Sequence, residues 1–189
     1  MGFAVQLYFD RPLEEAFLHV RTGLTNAGVT PTLKRLGDRP HVSLSVQTSL
    51  QPARLLPRLE KFAAATAPFE VSFGAFGSFP GKEGVVFLAP APSEALLRAQ
   101  KKMHDHLLAS YADVHEHYFP NSWVPHSTVG FELPPREVAV ALAWLGANFK
   151  PCAGKFTRVG LIEFRPVKEV ATFALGAQMS GQTGVQGSA

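Results

Sequence analysis

With 189 residues, 46% of them hydrophobic and 17% charged, the chain has the make-up of a folded domain that buries a core, which excludes a disordered segment. The one cysteine, Cys152, excludes an intramolecular disulfide and any cysteine-built zinc site, and fits a reducing compartment. A formal charge of +3 and a pI of about 9.2 fit an anionic small molecule or an RNA end, yet are explained as simply by solubility and fall well short of a nucleic-acid-binding signature.

Residues 3–9 read as an apolar first strand. The N-terminus lacks the basic region and long apolar run of a signal peptide, and no apolar stretch approaches the ~18 residues that span a bilayer, so a cytoplasmic protein without membrane contact is expected. Pro12 opens a helix with Leu13, Ala16, Phe17, Val20 and Leu24 at helical spacing, ended by Asn26-Ala27-Gly28. Residues 41–47 alternate, with Val42, Leu44 and Val46 on one face and His41, Ser43, Ser45 and Gln47 on the other. Pro52 starts a helix to about residue 65. Residues 69–79 form a long strand, Pro80-Gly81-Lys82-Glu83-Gly84 a turn, and residues 85–89 the returning hairpin strand.

The second half repeats this order. A helix is expected over 93–110, then a loop rich in histidine and aromatics over 111–125, a strand over 126–131, and a helix from Pro134-Pro135 to about residue 149. A long strand follows at 156–164, a turn at Pro166-Val167-Lys168-Glu169, and a returning strand at 170–175. The hairpin turns superpose at one constant offset: Pro80, Lys82, Glu83 and Phe87 fall on Pro166, Lys168, Glu169 and Phe173. The chain therefore reads as one domain over 1–175 built from two repeats, about 12–90 and 93–175, with a Gly/Gln/Ser-rich flexible tail over 176–189. Two copies cannot make a solenoid, so the expected form is two lobes facing each other across a groove.

Within this repeat, Pro40-His41-Val42-Ser43-Leu44 is matched by Pro125-His126-Ser127-Thr128-Val129. Residues two apart on a strand share a face, so His41 projects with Ser43, and His126 with Thr128. One short motif alone is weak, and a histidine after a proline is often only a surface residue. Both copies at equivalent places in a repeat point to a functional pair. Two imidazoles suit proton transfer to and from a phosphoester, and the hydroxyls suit its oxygens.

The double His-x-(Ser/Thr)-x signature, half a chain apart in a duplicated chain of this length, resembles the 2H phosphoesterase superfamily. The nearest group is the 2′-5′ RNA ligase and 2′,3′-cyclic phosphodiesterase proteins, whose second motif is similar to the run Trp123 to Phe131. The resemblance extends to about Leu175. It implies an α+β fold, bilobal and duplicated, each lobe an antiparallel sheet with flanking helices and the active-site cleft between the lobes. It also implies no metal or other cofactor, and a cyclic phosphate or nucleotide phosphodiester as substrate. By motif match His41 and His126 would be catalytic, and Ser43 and Thr128 phosphate-binding. The family pattern makes His126 the base that activates water and His41 the acid. The first copy carries Ser43 where many members have threonine. Phe131 stands where several members carry an arginine, so that contact is missing or comes from Arg39, Lys155 or Arg158.

Other features are read two ways. His104-Asp105-His106 and His115-Glu116-His117 suggest metal ligands, but His104 and His106 would lie about 200° apart on a helix, and a solvated loop is the simpler reading. Tyr118, Phe119 and Trp123 would stack on a base or pack the loop, and Tyr8 would line the cleft or pack; Tyr8, Arg39, Trp123 and Phe131 complete the substrate-binding candidates. The leading expectation is a monomeric, metal-independent enzyme that opens 2′,3′-cyclic phosphate ends of RNA or nucleotides, with reversible 2′-5′ ligation, and without an obligate protein partner. The alternatives are the same chemistry on an ADP-ribose cyclic phosphate or an oligoadenylate, or a noncatalytic RNA or nucleotide binder.

Overall fold

The structure, a computed structural model, describes residues 2–105, 113–164 and 166–177. The expected tail beyond residue 177, and the loop positions His106 and Tyr111, lie outside the described residues. In chain order the elements are β1 (Gly2–Phe9), α1 (Arg11–Asn26), α2 (Thr32–Arg35), β2 (His41–Gln47), α3 (Pro52–Ala64), β3 (Phe69–Ser78), β4 (Val86–Pro90), α4 (Glu94–Met103), β5 (Ser127–Gly130), α5 (Pro135–Asn148), β6 (Cys152–Phe164) and β7 (Lys168–Ala174). None of the described helices is long and apolar enough to cross a membrane.

Local chemistry accounts for most boundaries. The Asp10 carboxylate caps α1 by accepting from the Leu13 N–H at 3.2 Å, with Pro12 in the first turn. Ser93 caps α4 in the same way. Its α-helical part ends at Met103, residues 104–105 continue as π-helix, and the rest of the helix expected to residue 110 lies outside the described residues. β5 is shorter than expected and ends before Glu132, whose φ of 54° no strand residue adopts. β6 starts at Cys152, four residues earlier than expected, because its first turn of sequence pairs with β3. The four-residue α2 has too short an apolar pattern to be read from sequence.

Every pairing is antiparallel, in the order β2-β1-β6-β3-β4-β5, with β7 also on β6. The strands make one hydrogen-bonded sheet, and β6 is the shared member: Cys152 to Phe156 pairs with β3, and Phe156 to Phe164 with β1. The order strand, helix, motif strand, helix, strand occurs twice, as β1-α1-β2-α3-β3 and β4-α4-β5-α5-β6, apart from the short α2. The last strand of each series pairs with the first strand of the other, β3 with β4 and β6 with β1. β2 and β5 stand at opposite ends of the sheet order yet contact each other, so the sheet curls and brings its motif strands together.

The core lies under the opposite face. Phe9 stacks on Phe17 at 4.9 Å, and Phe73 and Phe156 close around them, which explains the use made of the 15 phenylalanines. Each such buried ring contributes about 1.5–3 kcal/mol. The expected alternation of 41–47 fails at one point. The register passes from Val5 opposite Ser45 to Gln6 opposite Ser43, leaving Leu44 as an extra, bulged residue. Ser45 is thereby opposite the core residue Val5, fully buried, and its hydroxyl has no partner.

Candidate active site

The two motif histidines are held by the same device. The ring Nδ1 of His41 is 2.7 Å from the carbonyl of Arg39, and that of His126 is 2.8 Å from the carbonyl of Val124. A carbonyl only accepts, so each Nδ1 carries the proton and each Nε2 is the unprotonated nitrogen. In both copies the accepting residue precedes the proline, whose ring restricts that residue to extended backbone and so fixes where its carbonyl stands. This is the physical use of the proline that both motifs share.

Their surroundings differ. The Nε2 of His41 lies 3.0 Å from the amide nitrogen of Gln6, while the Gln6 oxygen accepts from the Tyr8 hydroxyl at 2.9 Å. Asp38 places a carboxylate oxygen 3.5 Å from the His41 Nδ1. His126 instead meets Phe79 edge-on at 4.8 Å and Phe87 at 5.5 Å. Burial pushes the His126 imidazole below the ordinary histidine range, the hydrogen bond to Val124 opposes this, and the nearby His41 lowers it further. His41 is near enough to act on His126 electrostatically.

The hydroxyls follow from the strand registers. Gln6 is opposite Ser43 and Tyr8 opposite His41, so these four share one face. Phe87 is opposite Thr128 on the other side. The Ser43 side chain lies beside the Tyr118 hydroxyl and lowers its pKa, but burial is the larger cause and pushes it up to about 12. Arg21, buried on α1, donates to the carbonyl and carboxylate of Asp38 at 2.6 and 2.9 Å, and to the Thr128 carbonyl at 2.9 Å.

The remaining candidates are mostly engaged in packing. Tyr8 is 2% exposed, its hydroxyl taken by Gln6 and its ring covered by the Arg39 guanidinium at 4.8 Å, so it has no open face for a base. Arg39 is itself bound by both Glu14 oxygens, at 2.8 and 2.6 Å. Trp123 is buried behind Ser43 and donates to the Ser43 carbonyl at 3.1 Å. Phe131 is half-buried just beyond β5 and makes no ring contact with either histidine. Lys155 pairs with Glu70 at 3.1 Å, and the exposed Arg158 lies opposite Tyr8. His104 packs edge-on against Phe119, and His115 against His117.

Gln6, Asp38, Arg21, Phe79 and Phe87 were not among the candidates read from sequence. Gln6 alone carried a signal, as the one polar side chain inside the apolar first strand. Asp38 stands only three residues before His41, in no recognisable motif, and Arg21, Phe79 and Phe87 reach the site through tertiary contacts that leave no local pattern.

Comparison with known proteins gives a consistent picture. The family model described as the 2′-5′ RNA ligase superfamily matches residues 14–167. A protein of Geobacillus kaustophilus (strain HTA426), whose phosphoesterase name is provisional, is 27% identical over 145 residues, covering 74% of this chain and 80% of its own length. A similarly named protein of Geobacillus sp. (strain WCH70) is 31% identical over the same shares. Among solved structures, TT0787 of Thermus thermophilus superposes with a TM-score of 0.60 at 17% identity, covering 94% of this chain and 100% of its own. E. coli LigT complexed with 3′-AMP gives 0.61 at 14% identity, over 93% and 98%. At such identities these structures share the fold.

Proposed function

Because the chain belongs to the 2′-5′ RNA ligase superfamily, we propose that it is a metal-independent phosphodiesterase that opens 2′,3′-cyclic phosphate ends of RNA or nucleotides, and that His41 and His126 carry the catalysis. The observation that supports this most is the matched pair of Nδ1-to-carbonyl hydrogen bonds, which makes Nε2 the reactive nitrogen of both rings, that of His41 being held by the Gln6 amide until a substrate takes its place. His126, sheltered between Phe79 and Phe87, favours its neutral form and takes the proton from the attacking water. The water oxygen bonds to phosphorus. The bond from phosphorus to one ribose oxygen breaks, and His41, beside Asp38, gives that oxygen a proton from Nε2. Ser43 and Thr128 donate to the phosphate oxygens as charge builds. In the same ring opening a 5′-hydroxyl can take the place of water: its oxygen bonds to phosphorus, the bond to the 3′ oxygen breaks and takes up the proton, and a 2′-5′ linkage forms without ATP.

In the resting arrangement the Gln6 amide donates to the lone pair of the His41 Nε2. When that nitrogen carries a proton, a half-turn of the amide presents its oxygen instead, and Tyr8 then accepts from the amide nitrogen. Gln6 can thus hold His41 in either protonation state, and it gives up that contact when Nε2 donates to the leaving oxygen.

The test is turnover of 2′,3′-cyclic AMP in EDTA by the wild type and by His41→Ala and His126→Ala. Loss of ~10²–10⁴-fold in each variant is expected, since that is the usual contribution of a general acid or base. A loss of only a few-fold in a well-folded His126→Ala protein would remove the proposal and favour a binding module.

A further inference from the structure

Phe131 leaves open which cation meets the rest of a substrate beyond the reacting phosphate. Three residues remain from the sequence, and the structure separates them. Arg39 is neutralised by Glu14 and covers Tyr8. Lys155 is paired with Glu70. Arg158 is exposed and, among the described residues, has neither a carboxylate nor a hydrogen-bond partner. Glu169, the further acid near this face, acts on Tyr8 and Arg39.

Arg158 also stands on the required face. Tyr8 is directly opposite His41 on one side and directly opposite Arg158 on the other, so the three side chains leave the same face of neighbouring strands β2, β1 and β6. Two strand spacings separate His41 from Arg158, about 10 Å along the sheet. The placement depends on a bulge. Phe156 and Arg158 are two residues apart and would share a face in a regular strand. The register instead passes from Arg158 opposite Tyr8 to Phe156 opposite Phe9, leaving Thr157 as the extra residue. Phe156 thereby enters the core, fully buried, while Arg158 takes the face of the histidine. The next residue on that face is Gly160, where a Cβ would come within 2.7 Å of the Tyr8 ring, so no side chain stands there beside Arg158.

We propose that Arg158 is a specificity-determining residue that binds the phosphodiester next to the reacting one, so that the substrate is the end of an oligonucleotide rather than a mononucleotide. Its guanidinium offers paired donors that match two phosphate oxygens. This inference rests on the reading of His41 and His126 as the reacting pair.

The test compares wild type, Arg158→Ala, Arg158→Lys and the control Lys155→Ala on two substrates: 2′,3′-cyclic AMP, and a trinucleotide with a 2′,3′-cyclic end. Arg158→Ala should raise KM for the trinucleotide about tenfold or more with little change in kcat, the usual size of a charged hydrogen bond. It should leave 2′,3′-cyclic AMP unchanged. Arg158→Lys should recover part of the loss, and Lys155→Ala should match wild type. Equal effects on both substrates, or none on either, would overturn the proposal. Fluorescence anisotropy of a labelled trinucleotide 3′-phosphate, competed by 3′-AMP, reads the same contact without turnover. If wild type turns over neither substrate, the catalytic reading fails. The anisotropy still decides this inference: weaker trinucleotide binding in Arg158→Ala with unchanged 3′-AMP binding supports it, and unchanged trinucleotide binding sinks it.

Discussion

The Nη2 of Arg21, on α1, donates to the carbonyl of Thr128, on β5, at 2.9 Å. The same nitrogen donates to the Asp38 carboxylate, whose other oxygen faces the His41 ring. One buried guanidinium therefore ties the loop before the first motif to the backbone of the second. His41 opens β2 and His126 immediately precedes β5, strands at opposite ends of the sheet order, and this bridge is a direct polar link between the two segments.

Arg21→Ala should destabilise the protein by about 3–5 kcal/mol, because it leaves the Asp38 carboxylate buried without its cation. Arg21→Lys keeps the charge but cannot reach the Asp38 carbonyl, the Asp38 carboxylate and Thr128 together, and should cost less. Urea unfolding of the three proteins gives the stability order. If the bridge also sets the spacing of the motifs, kcat on 2′,3′-cyclic AMP falls in Arg21→Lys under conditions where that protein stays folded.

Gln6 sits between Tyr8 and His41, so removing its amide strands the Tyr8 hydroxyl in a buried place. Gln6→Leu should cost about 1–3 kcal/mol for that unsatisfied group. Tyr8→Phe removes the hydroxyl itself, and adding it to Gln6→Leu should return part of the loss. A double-mutant cycle by chemical denaturation measures this. Strictly additive effects would mean that the Tyr8 to Gln6 hydrogen bond contributes nothing.

What the sequence showed of this site, and what it hid, divides by range. His41 and Ser43 share a face of β2 as the strand rule expects, and that rule is local; His126 stands one residue before β5, so the rule does not extend to it and Thr128. Ser45 was misplaced because the bulge at Leu44 shifts the period, and a single inserted residue leaves no trace in an alternating pattern. Arg21 was invisible, since its meeting with Thr128 spans about half the chain and depends on how the sheet curls, and Asp38 enters only as the carboxylate that Arg21 holds. Tyr8 and Trp123, read from sequence as lining the site or packing, have their polar atoms taken by Gln6 and the Ser43 carbonyl, which only tertiary contacts decide.

The depressed His126 fixes the sign of one pH effect. A base must be neutral to act, so the acidic limb of kcat/KM should lie below the ordinary histidine value of about 6.5. Burial is the first cause, so Phe87→Asn, which puts a polar group against the ring, should move that limb upward. The same shift acts on stability. A lowered folded-state pKa gives a contribution that is complete above the unfolded value and is lost as pH falls through the folded one. Rate profiles from about pH 4.5 to 8, with urea midpoints over the same range, check both. An acidic limb above the ordinary histidine value in the wild type would contradict the burial argument.

Two glycines lie under the aromatic residues of the site face, Gly160 beneath Tyr8 and Gly77 beneath Phe87. A methyl at residue 160 would lie 2.7 Å from the Tyr8 ring, 2.9 Å from the Thr172 hydroxyl and 3.0 Å from the Ala171 carbonyl. Part of that crowding is backbone and cannot swing away. At residue 77 the nearest atom is the tip of the Phe87 ring, at 3.1 Å, which needs to give by only a few tenths of an ångström. Gly160→Ala should therefore cost about 1–3 kcal/mol, the usual range for overpacking, and Gly77→Ala less. The displaced Tyr8 also carries Gln6, and Gln6 carries His41, so Gly160→Ala should lower kcat beyond what its lost stability explains. Measuring kcat well below the unfolding transition separates the two effects. Full activity in a folded Gly160→Ala protein would show that the path from Tyr8 through Gln6 does not position His41.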